Sequence, residues 1–308
     1  MPDVHPIRIG TRASALARWQ ADWVSARLRE LGVEVIQVPI STTGDRNQAP
    51  IGMGASPGMF TKEIQRALLD GTVDLAVHSL KDLPTDAVPG LCLAAVPARA
   101  PVADALVCRE HDSLEDLPPD AVIGTGSLRR RAQLLHVRPD LKMADIRGNV
   151  DTRLRKLDEG QYDAIVLAEA GLRRLGLEDR ITQLLPLQTI LPAVGQGALG
   201  LEAREDDHGV RQTLEAIDDR STHAAVLAER AMLAVLRGGC LAPIAAWGRV
   251  EDGRLHLTGR VLGPDGSDKL EVTAADSPDD PAGLGTLVAE QLAAQGAAEL
   301  IERSREQA

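Results

Sequence analysis

Short apolar runs alternate with amphipathic stretches through the first third of the chain. The apolar runs predict strands at residues 7–10, 33–40, 73–80 and 91–96. The amphipathic stretches predict helices at residues 11–32 and 61–71. Thr11 or Ser14 is expected near the start of the first helix, and Gly32 is expected to end it. Strands separated by helices predict a mainly parallel sheet that helices cover on both faces.

A second series of alternating patterns follows a Pro- and Ala-rich stretch at residues 96–104, whose composition is typical of a hinge. Strand patterns lie at residues 104–109, 121–126, 141–148 and 162–171. Helix patterns lie at residues 127–137 and 149–160. Residues 191–204 predict a second crossing that returns the chain to its first part. We therefore expect two doubly wound α/β domains, residues 1–98 completed by 199–217, and residues 99–198.

The pattern changes again near Ile217. A helical pattern at residues 221–239 precedes turn-punctuated strands at 253–275, and a last helical pattern covers 282–306. This order predicts a small α+β domain with an antiparallel sheet over residues 218–308.

Composition narrows the possible functions. The 308-residue chain is 44% hydrophobic and carries a formal net charge of −11. This composition argues against nucleic acid as a partner, because binding the phosphate backbone needs a basic surface, and the single Phe, the single Tyr and the three Trp offer little area for stacking on bases. No apolar run approaches about 18 residues, and the N-terminal residues lack the pattern of a secretory signal. We therefore expect a cytoplasmic protein with no membrane partner, and a monomer because no exposed apolar stripe is evident.

Three widely spaced cysteines and seven scattered histidines give no support to a disulfide framework or a metal site. Cys240 lies between two glycines and a proline in "RGGCLAPI", a loop context that indicates a nucleophile or a covalent attachment point. Cys92 and Cys108 lie in apolar runs and are expected to be ordinary buried cysteines.

The stretch "GTGSLRRR", residues 124–131, places three arginines behind a tight turn. It predicts a strand that ends at Ile123 and a helix that begins near Ser127, whose first N–H groups and dipole attract anions. Arg129, Arg130 and Arg131 add guanidinium forks that suit carboxylates or phosphates. The alternative is a solvated helix face with its arginines paired to nearby acids.

Two further stretches follow predicted strands, where the ligands of α/β sheets bind. In "AVHSLKDLPT" the adjacent Lys81 and Asp82 suit acid–base or electrostatic work, or they form a loop salt bridge. In "DIRGNVDTRLRKL" Arg147 precedes a helix start at Asn149 that also carries Arg153. The two helix starts predict one wall of an anion site, which Arg12 is expected to face.

Seven ordered stretches give the chain a resemblance to the porphobilinogen deaminase (hydroxymethylbilane synthase) family over nearly its whole length. They are "RIGTRASALARWQA", "GMFTKEIQRALLDGTVDLAVHSLKDLPT", "IGTGSLRRRAQL", "IRGNVDTRLRKL", "YDAIVLAEAGLRRLGL", "LPAVGQGALGLE" and "GGCLAPIAAWG". The resemblance implies two α/β domains like those of type II periplasmic binding proteins plus a small third domain. It also implies a transferase of tetrapyrrole (haem) biosynthesis, which joins four porphobilinogen molecules head to tail with release of ammonia.

The resemblance implies a dipyrromethane cofactor joined to Cys240 by a thioether, and a catalytic carboxylate at Asp82. The residues expected to bind the cofactor are Lys81, Thr125, Ser127, Arg129 and Arg130. The residues expected to bind the substrate are Arg12, Ser14, Phe60, Arg147, Asn149, Arg153, Arg174 and Gln196. Pro57 stands where the family usually has a lysine, in a stretch before Phe60 that is expected to form a loop.

The second hypothesis is a binding protein for small anions without catalysis, which two α/β domains and an anion site also fit. A third, a nucleic-acid-binding regulator, conflicts with the charge and the aromatic content. A cysteine exposed in a third domain favours the enzyme, because a receptor has no need of one.

Overall fold

The computed structural model describes residues 5–41, 61–237 and 242–306. The first sheet contains the strands β1 (Ile7–Thr11), β2 (Val35–Pro39), β3 (Leu75–Ser79), β4 (Leu91–Ala95) and β10 (Leu199–Arg204). Its order is β2-β1-β3-β10-β4. The helices that accompany it are α1 (Ala15–Glu30), α2 (Lys62–Leu69) and α6 (His208–Glu215). Apolar clusters lie against the sheet, and β3 is buried along its first four residues.

The second sheet contains the strands β5 (Asp104–Cys108), β6 (Val122–Gly124), β7 (Lys142–Ala144), β8 (Ala164–Ala168) and β9 (Gln183–Leu184). Its order is β7-β6-β8-β5-β9. Its helices are α3 (Leu128–Val137), α4 (Val150–Asp158) and α5 (Glu169–Arg174). Two separate apolar clusters pack against the strands, so this sheet has its own core.

The third sheet is an antiparallel meander of β11 (Ile244–Glu251), β12 (Arg254–Leu262) and β13 (Lys269–Asp276). It packs with α7 (Arg220–Leu236), α8 (Pro281–Ala294) and α9 (Ala297–Glu306). The structure therefore confirms the predicted fold class, two α/β sheets and a small C-terminal unit of three strands with helices.

Each large sheet is mainly parallel, with four of its five strands running in one direction. The strand that arrives by a crossing runs against its neighbours: β10 lies antiparallel between β3 and β4, and β5 lies antiparallel between β8 and β9. One prediction about the elements was wrong. The helix predicted over 282–306 is two helices, because Gly296 adopts a positive φ of 103° that ends the helical path.

Candidate active site

Lys81 and Asp82 lie in a short 3₁₀ turn, Leu80–Asp82, directly after the buried strand β3. Leu80 is buried and its N–H donates to the carbonyl of Ala198 at 3.1 Å, which fastens the turn to the returning crossing. Both charged residues are exposed. The strand thus delivers an ammonium and a carboxylate to the carboxyl edge of the first sheet.

The expected alternative of a loop salt bridge is not observed here. Within residues 5–41, 61–237 and 242–306, neither the Lys81 ammonium nor the Asp82 carboxylate has a hydrogen-bond or ion-pair partner. Solvent reaches the Lys81 side chain, but the protein atoms around it disfavour its charged form. That desolvation, with the positive charge of Arg130, lowers the pKa of Lys81 to about 8, against the opposing pull of Asp82.

The turn between β6 and α3 matches the sequence prediction closely. The strand ends at Gly124, and Ser127 is the N-cap of α3, its hydroxyl accepting from the N–H of Arg130 at 3.5 Å. The hydroxyl of buried Thr125 accepts from the N–H of Ser127 at 3.2 Å. Ser127 and Thr125 therefore shape the turn that directs Arg129 and Arg130.

Arg129 and Arg130 are buried and share one carboxylate, that of Asp104 at the start of β5. Nη1 of Arg129 lies 2.7 Å from Oδ2 of Asp104, and Nη2 of Arg130 lies 2.7 Å from Oδ1. Burial by itself raises the pKa of Asp104, but the charges and hydrogen bonds of the two arginines outweigh it and hold that pKa well below its usual range. The arginines are thus paired to an acid, as in the alternative considered above, but inside the protein rather than on a solvated face.

Asp104 was not among the site residues predicted from the sequence. A usable signal was present, because "DALVC" is an apolar strand with one acid at its start, and a buried charge needs a partner. Its partners are 25 and 26 positions away in the chain, so only the fold identifies them.

Arg147 precedes α4, and Arg153 lies in its first turn. The positive charges of Arg147 and Arg130 both act on Arg153. Nε of Arg153 donates to the carbonyl of Gly148 at 2.7 Å. Gly148 has a φ of 114°, and a Cβ there would lie 2.6 Å from the Thr152 side chain, so this turn needs glycine. Burial, Arg130 and Arg147 lower the pKa of Arg153 to about 10, which shows how crowded the positive charges are.

Arg147 carries two orphaned donors. Its Nε and Nη2 are buried and have no hydrogen-bond partner in the part of the chain that the structure describes. Buried donors without acceptors are costly, so they mark a place where an anion would be bound tightly. Asn149 occupies the N-cap position of α4 and is exposed, but its side chain makes no capping bond.

The remaining predicted residues that the structure describes lie directly after β1, at the end of α5 and on the returning crossing. Ser14 caps α1, accepting from the N–H of Ala17 at 3.3 Å, and Arg12 lies between β1 and that cap. Arg174 lies over the Trp19 ring at 5.6 Å and donates to the carbonyl of Gly197 at 2.7 Å. Burial lowers the pKa of Arg174 to about 10.

Gln196 is buried where the two crossings meet. Its Nε2 donates to the carbonyl of Val102 at 2.7 Å and to Oδ1 of Asp104 at 2.9 Å. Its Oε1 is buried and has no partner among the described residues. Gln196 therefore touches the site through Asp104.

Arg230 of α7 connects the C-terminal unit to the same site. Its guanidinium donates to the carbonyls of Leu83 and Pro84 at 2.8 and 2.6 Å, immediately after Asp82. A cavity of about 400 Å³ lies beside this contact, but its lining contains neither Asp82 nor any of the predicted site arginines.

Cys240, Phe60 and Pro57 lie outside the described residues. Cys92 and Cys108 were expected to be buried, but each is half-buried, and burial with nearby acids raises the pKa of the Cys108 thiol to about 11.

No group of three His, Cys, Asp or Glu side chains that could hold a metal ion occurs among the residues described. Nor does that part of the chain contain a helix with the length and apolar character of a membrane span.

Two family models match the sequence. One, described as "Porphobilinogen deaminase, dipyromethane cofactor binding domain", matches residues 7–212, and the other, "Porphobilinogen deaminase, C-terminal domain", matches residues 223–294. The porphobilinogen deaminase of Pelotomaculum thermopropionicum is 48% identical over 98% of this chain and 97% of its own length. That of Acidithiobacillus ferrooxidans is 50% identical over 98% of this chain and 99% of its own. Among solved structures, the methionine-binding protein MetQ is similar with a TM-score of 0.46 and 15% identity, over 70% of this chain and 91% of that one.

Proposed function

The chain belongs to the porphobilinogen deaminase family and carries that family's dipyrromethane cofactor binding domain, and on this premise we propose how its residues join four porphobilinogen molecules into hydroxymethylbilane. One observation carries the proposal. Asp82 has no partner among the described residues, and its charge acts on Lys81 and Arg153. These two cations belong to a cluster with Arg147, whose Nε and Nη2 are buried without an acceptor in the described structure.

The arginines bind the substrate. Each porphobilinogen unit carries an acetate and a propionate, so the growing chain gains two negative charges with every addition. Guanidinium forks match carboxylates geometrically and stay charged at any physiological pH. We assign this role to Arg12, Arg129, Arg130, Arg147, Arg153 and Arg174, with Ser14, Asn149, Gln196 and Phe60 as further substrate contacts.

Asp82 performs the chemistry. Loss of ammonia from the aminomethyl arm of porphobilinogen leaves a cation, the azafulvene, that is delocalised over the pyrrole ring. A fixed carboxylate near the pyrrole N–H stabilises that charge as it develops. The carboxylate can also take the proton that the attacked pyrrole carbon loses once the new carbon–carbon bond has formed, and in its protonated form it can give a proton to the departing amine. Asp82 suits these tasks because no described side chain competes for its oxygens.

The residues present fit the dipyrromethane cofactor. The group carries acetate and propionate carboxylates, which are the acceptors that Arg147 Nε and Nη2 lack. When bound, it supplies the primer to which the first substrate is added. We propose that Cys240 holds it by a thioether and that Lys81, Thr125, Ser127, Arg129 and Arg130 orient it.

Three assignments of organisation complete the proposal. We infer domains of residues 1–98 with 199–217, of 99–198 and of 218–308, which the separate strands of the three sheets support. We infer a monomer, since most of the exposed large apolar residues among those described lie on separate elements, and Leu227 and Val235 of α7 are the pair that shares one. We infer a cytoplasmic location, since the free thiols of Cys92 and Cys108 suit a reducing compartment.

The test combines intact mass with turnover. The purified protein should exceed its sequence mass by two pyrrole units, with the addition on the peptide that contains Cys240, and it should release ammonia from porphobilinogen. Cys240→Ser should fold but lose both properties, whereas Cys92→Ser and Cys108→Ser should keep them. A wild-type protein at its sequence mass that binds porphobilinogen without releasing ammonia would instead support the solute-binding hypothesis.

A further inference from the structure

We propose that Asp104 is a positioning residue, which holds the guanidinium groups of Arg129 and Arg130 in the orientation that binds substrate and cofactor carboxylates. The inference rests on the proposed function and adds a residue to it. It starts from the geometry of one buried carboxylate between two adjacent arginines.

Arg129 and Arg130 need a restraint because they are neighbours of like charge. In the low-dielectric interior two guanidinium groups repel strongly, and each arginine side chain has many rotamers. Asp104 is fully buried and meets Arg130 through both Nε and Nη2, at 3.1 and 2.7 Å. Both of these donors reach the same oxygen, Oδ1, and Nη1 of Arg130 donates to the carbonyl of Val166 at 2.9 Å on the other side. The three contacts together fix the plane of the guanidinium as well as its position.

Arg129 keeps one edge unused. Its Nη1 contacts Asp104 and donates to the carbonyl of Leu191 at 2.7 Å, while its Nε and Nη2 have no acceptor among the described residues. The carboxylate thus occupies one side of the fork and leaves the other for an incoming anion. Holding the fork before substrate arrives spares the cost of ordering it during binding.

Asp104 is itself held in place by Gln196. The amide donates to Oδ1 of Asp104 and to the carbonyl of Val102, two residues earlier in the same crossing. Asp104 begins β5, where the chain enters the second sheet, and Gln196 lies on the segment that leaves it. The restraint on the arginines is therefore built into both connections between the sheets.

The sign of the expected effect separates positioning from simple electrostatics. Asp104→Asn keeps the shape of the side chain and removes one negative charge beside the site. On charge alone this change strengthens the binding of an anion. If Asp104 positions the arginines, binding weakens instead, because an amide nitrogen would now face a guanidinium donor and release at least one fork.

Asp74 provides a matched control. Its Oδ1 also meets two arginines, Nη2 of Arg8 at 2.7 Å and Nη2 of Arg204 at 3.1 Å. It precedes β3, whereas Asp82 follows that strand, so the Asp74 cluster lies at the opposite edge of the sheet. Asp74→Asn breaks the same kind of ion pair without touching the site.

The experiment measures KM and kcat for porphobilinogen, the fraction of protein that carries the covalent addition, and thermal unfolding of the full-length variants. Asp104→Asn should raise KM by about ten- to a hundredfold, the value of one or more charge-assisted bonds, and should lower the loaded fraction. Asp74→Asn should lower Tm with KM unchanged. Asp104→Glu keeps the charge and should fold, with a smaller rise in KM.

The outcomes are distinguishable. A wild-type protein without turnover would overturn the proposed function itself. An active wild type with KM unchanged or lowered in folded Asp104→Asn, or in folded Asp104→Glu if the Asn variant does not fold, would overturn the positioning role. Equal changes in KM for Asp104→Asn and Asp74→Asn would show a general loss of structure and would also overturn it.

Discussion

Asp82 and Asp104 have the same side chain in opposite surroundings. Asp104 is fully buried between two arginines, and its carboxylate is already paired with both of them. Asp82 is exposed and has no partner in the described residues, so its charge remains available. A carboxylate that stabilises a cation formed only during the reaction must not be neutralised beforehand. The free acid and the paired acid therefore suit different tasks.

Asp82→Asn should leave stability nearly unchanged and abolish turnover. The amide keeps the shape of the carboxylate but loses the charge that stabilises the developing cation. Single-turnover release of ammonia, with thermal unfolding of the same sample, measures both. Asp82→Glu keeps the charge but displaces it, and should retain a residual rate on the order of one hundredth. Near-normal turnover in a stable Asp82→Asn protein would refute the assignment.

Lys81 should make substrate binding depend on pH. Its pKa is lowered to about 8, so the ammonium is present below that pH and is lost as the pH rises through it. Lys81 is assigned to the cofactor, which is the primer that the substrate joins, so loss of one charge-assisted bond to it should increase KM for porphobilinogen by about tenfold above that pH.

Lys81→Arg is the control for this pH dependence. Arginine stays charged, so the variant should show a flatter KM profile with the same substrate. Identical profiles for the two proteins would exclude Lys81 as the titrating group.

At the scale of elements, α3 and α4 begin side by side with their arginines at or near their first turns. Ser127 caps α3 with its side chain, whereas Asn149 leaves its side chain unused at the start of α4. A helix start with unused donors and a positive dipole end favours anions. The second of these helix starts thus has more capacity left for a carboxylate.

Arg147→Leu should weaken substrate binding or cofactor loading by about ten- to a hundredfold, because a bound carboxylate loses the two buried donors, Nε and Nη2, that Arg147 offers it. KM and the mass of the purified protein measure the two effects. Arg303→Leu is the matched control. Arg303 lies on the C-terminal helix α9, and its Nη1 is 2.8 Å from Oδ2 of exposed Asp268. Equal effects of the two substitutions would mean that the arginine cluster is only a surface feature.

The sequence predicted those features that depend on residues close together in the chain. The glycines and Ser127 around the β6–α3 turn predicted its strand end and its N-cap, because turn and cap preferences act within a few residues. The direction of β5 and β10 was not predictable in this way, because it depends on where a crossing enters a distant sheet. The pairing of Asp104 with Arg130 depends on the same tertiary information.

At the scale of the whole molecule, the three sheets meet around one buried ion pair. Arg99, on the first crossing, lies 2.6 Å from Oε1 of Glu229 in α7. Glu229 is fully buried and also accepts from the N–H of Gly195 at 2.6 Å and of Gly248 at 2.7 Å. Both crossings and the third sheet are therefore fastened to a single carboxylate.

Glu229→Gln should destabilise the protein by about 3–5 kcal/mol, because it leaves the largely buried charge of Arg99 without a counter-ion. Urea unfolding measures the loss. Glu302→Gln removes the acid of an exposed pair with Arg305 and should cost less than about 1 kcal/mol. A similar loss of unfolding free energy for the two substitutions would show that the buried pair contributes no more to stability than an exposed one.

The contact of Arg230 with the carbonyls of Leu83 and Pro84 also bears on where a growing product can lie. The helix α7 that carries Arg230 ends at Leu236, and Cys240 follows four residues later, a span of at most about 14 Å. If Cys240 tethers the polymer, one helix holds both the tether and the backbone beside Asp82. Each added pyrrole must then fold back into the space near the arginines rather than push the two ends apart. On that premise we expect the space near the arginines to limit the number of units that can be added.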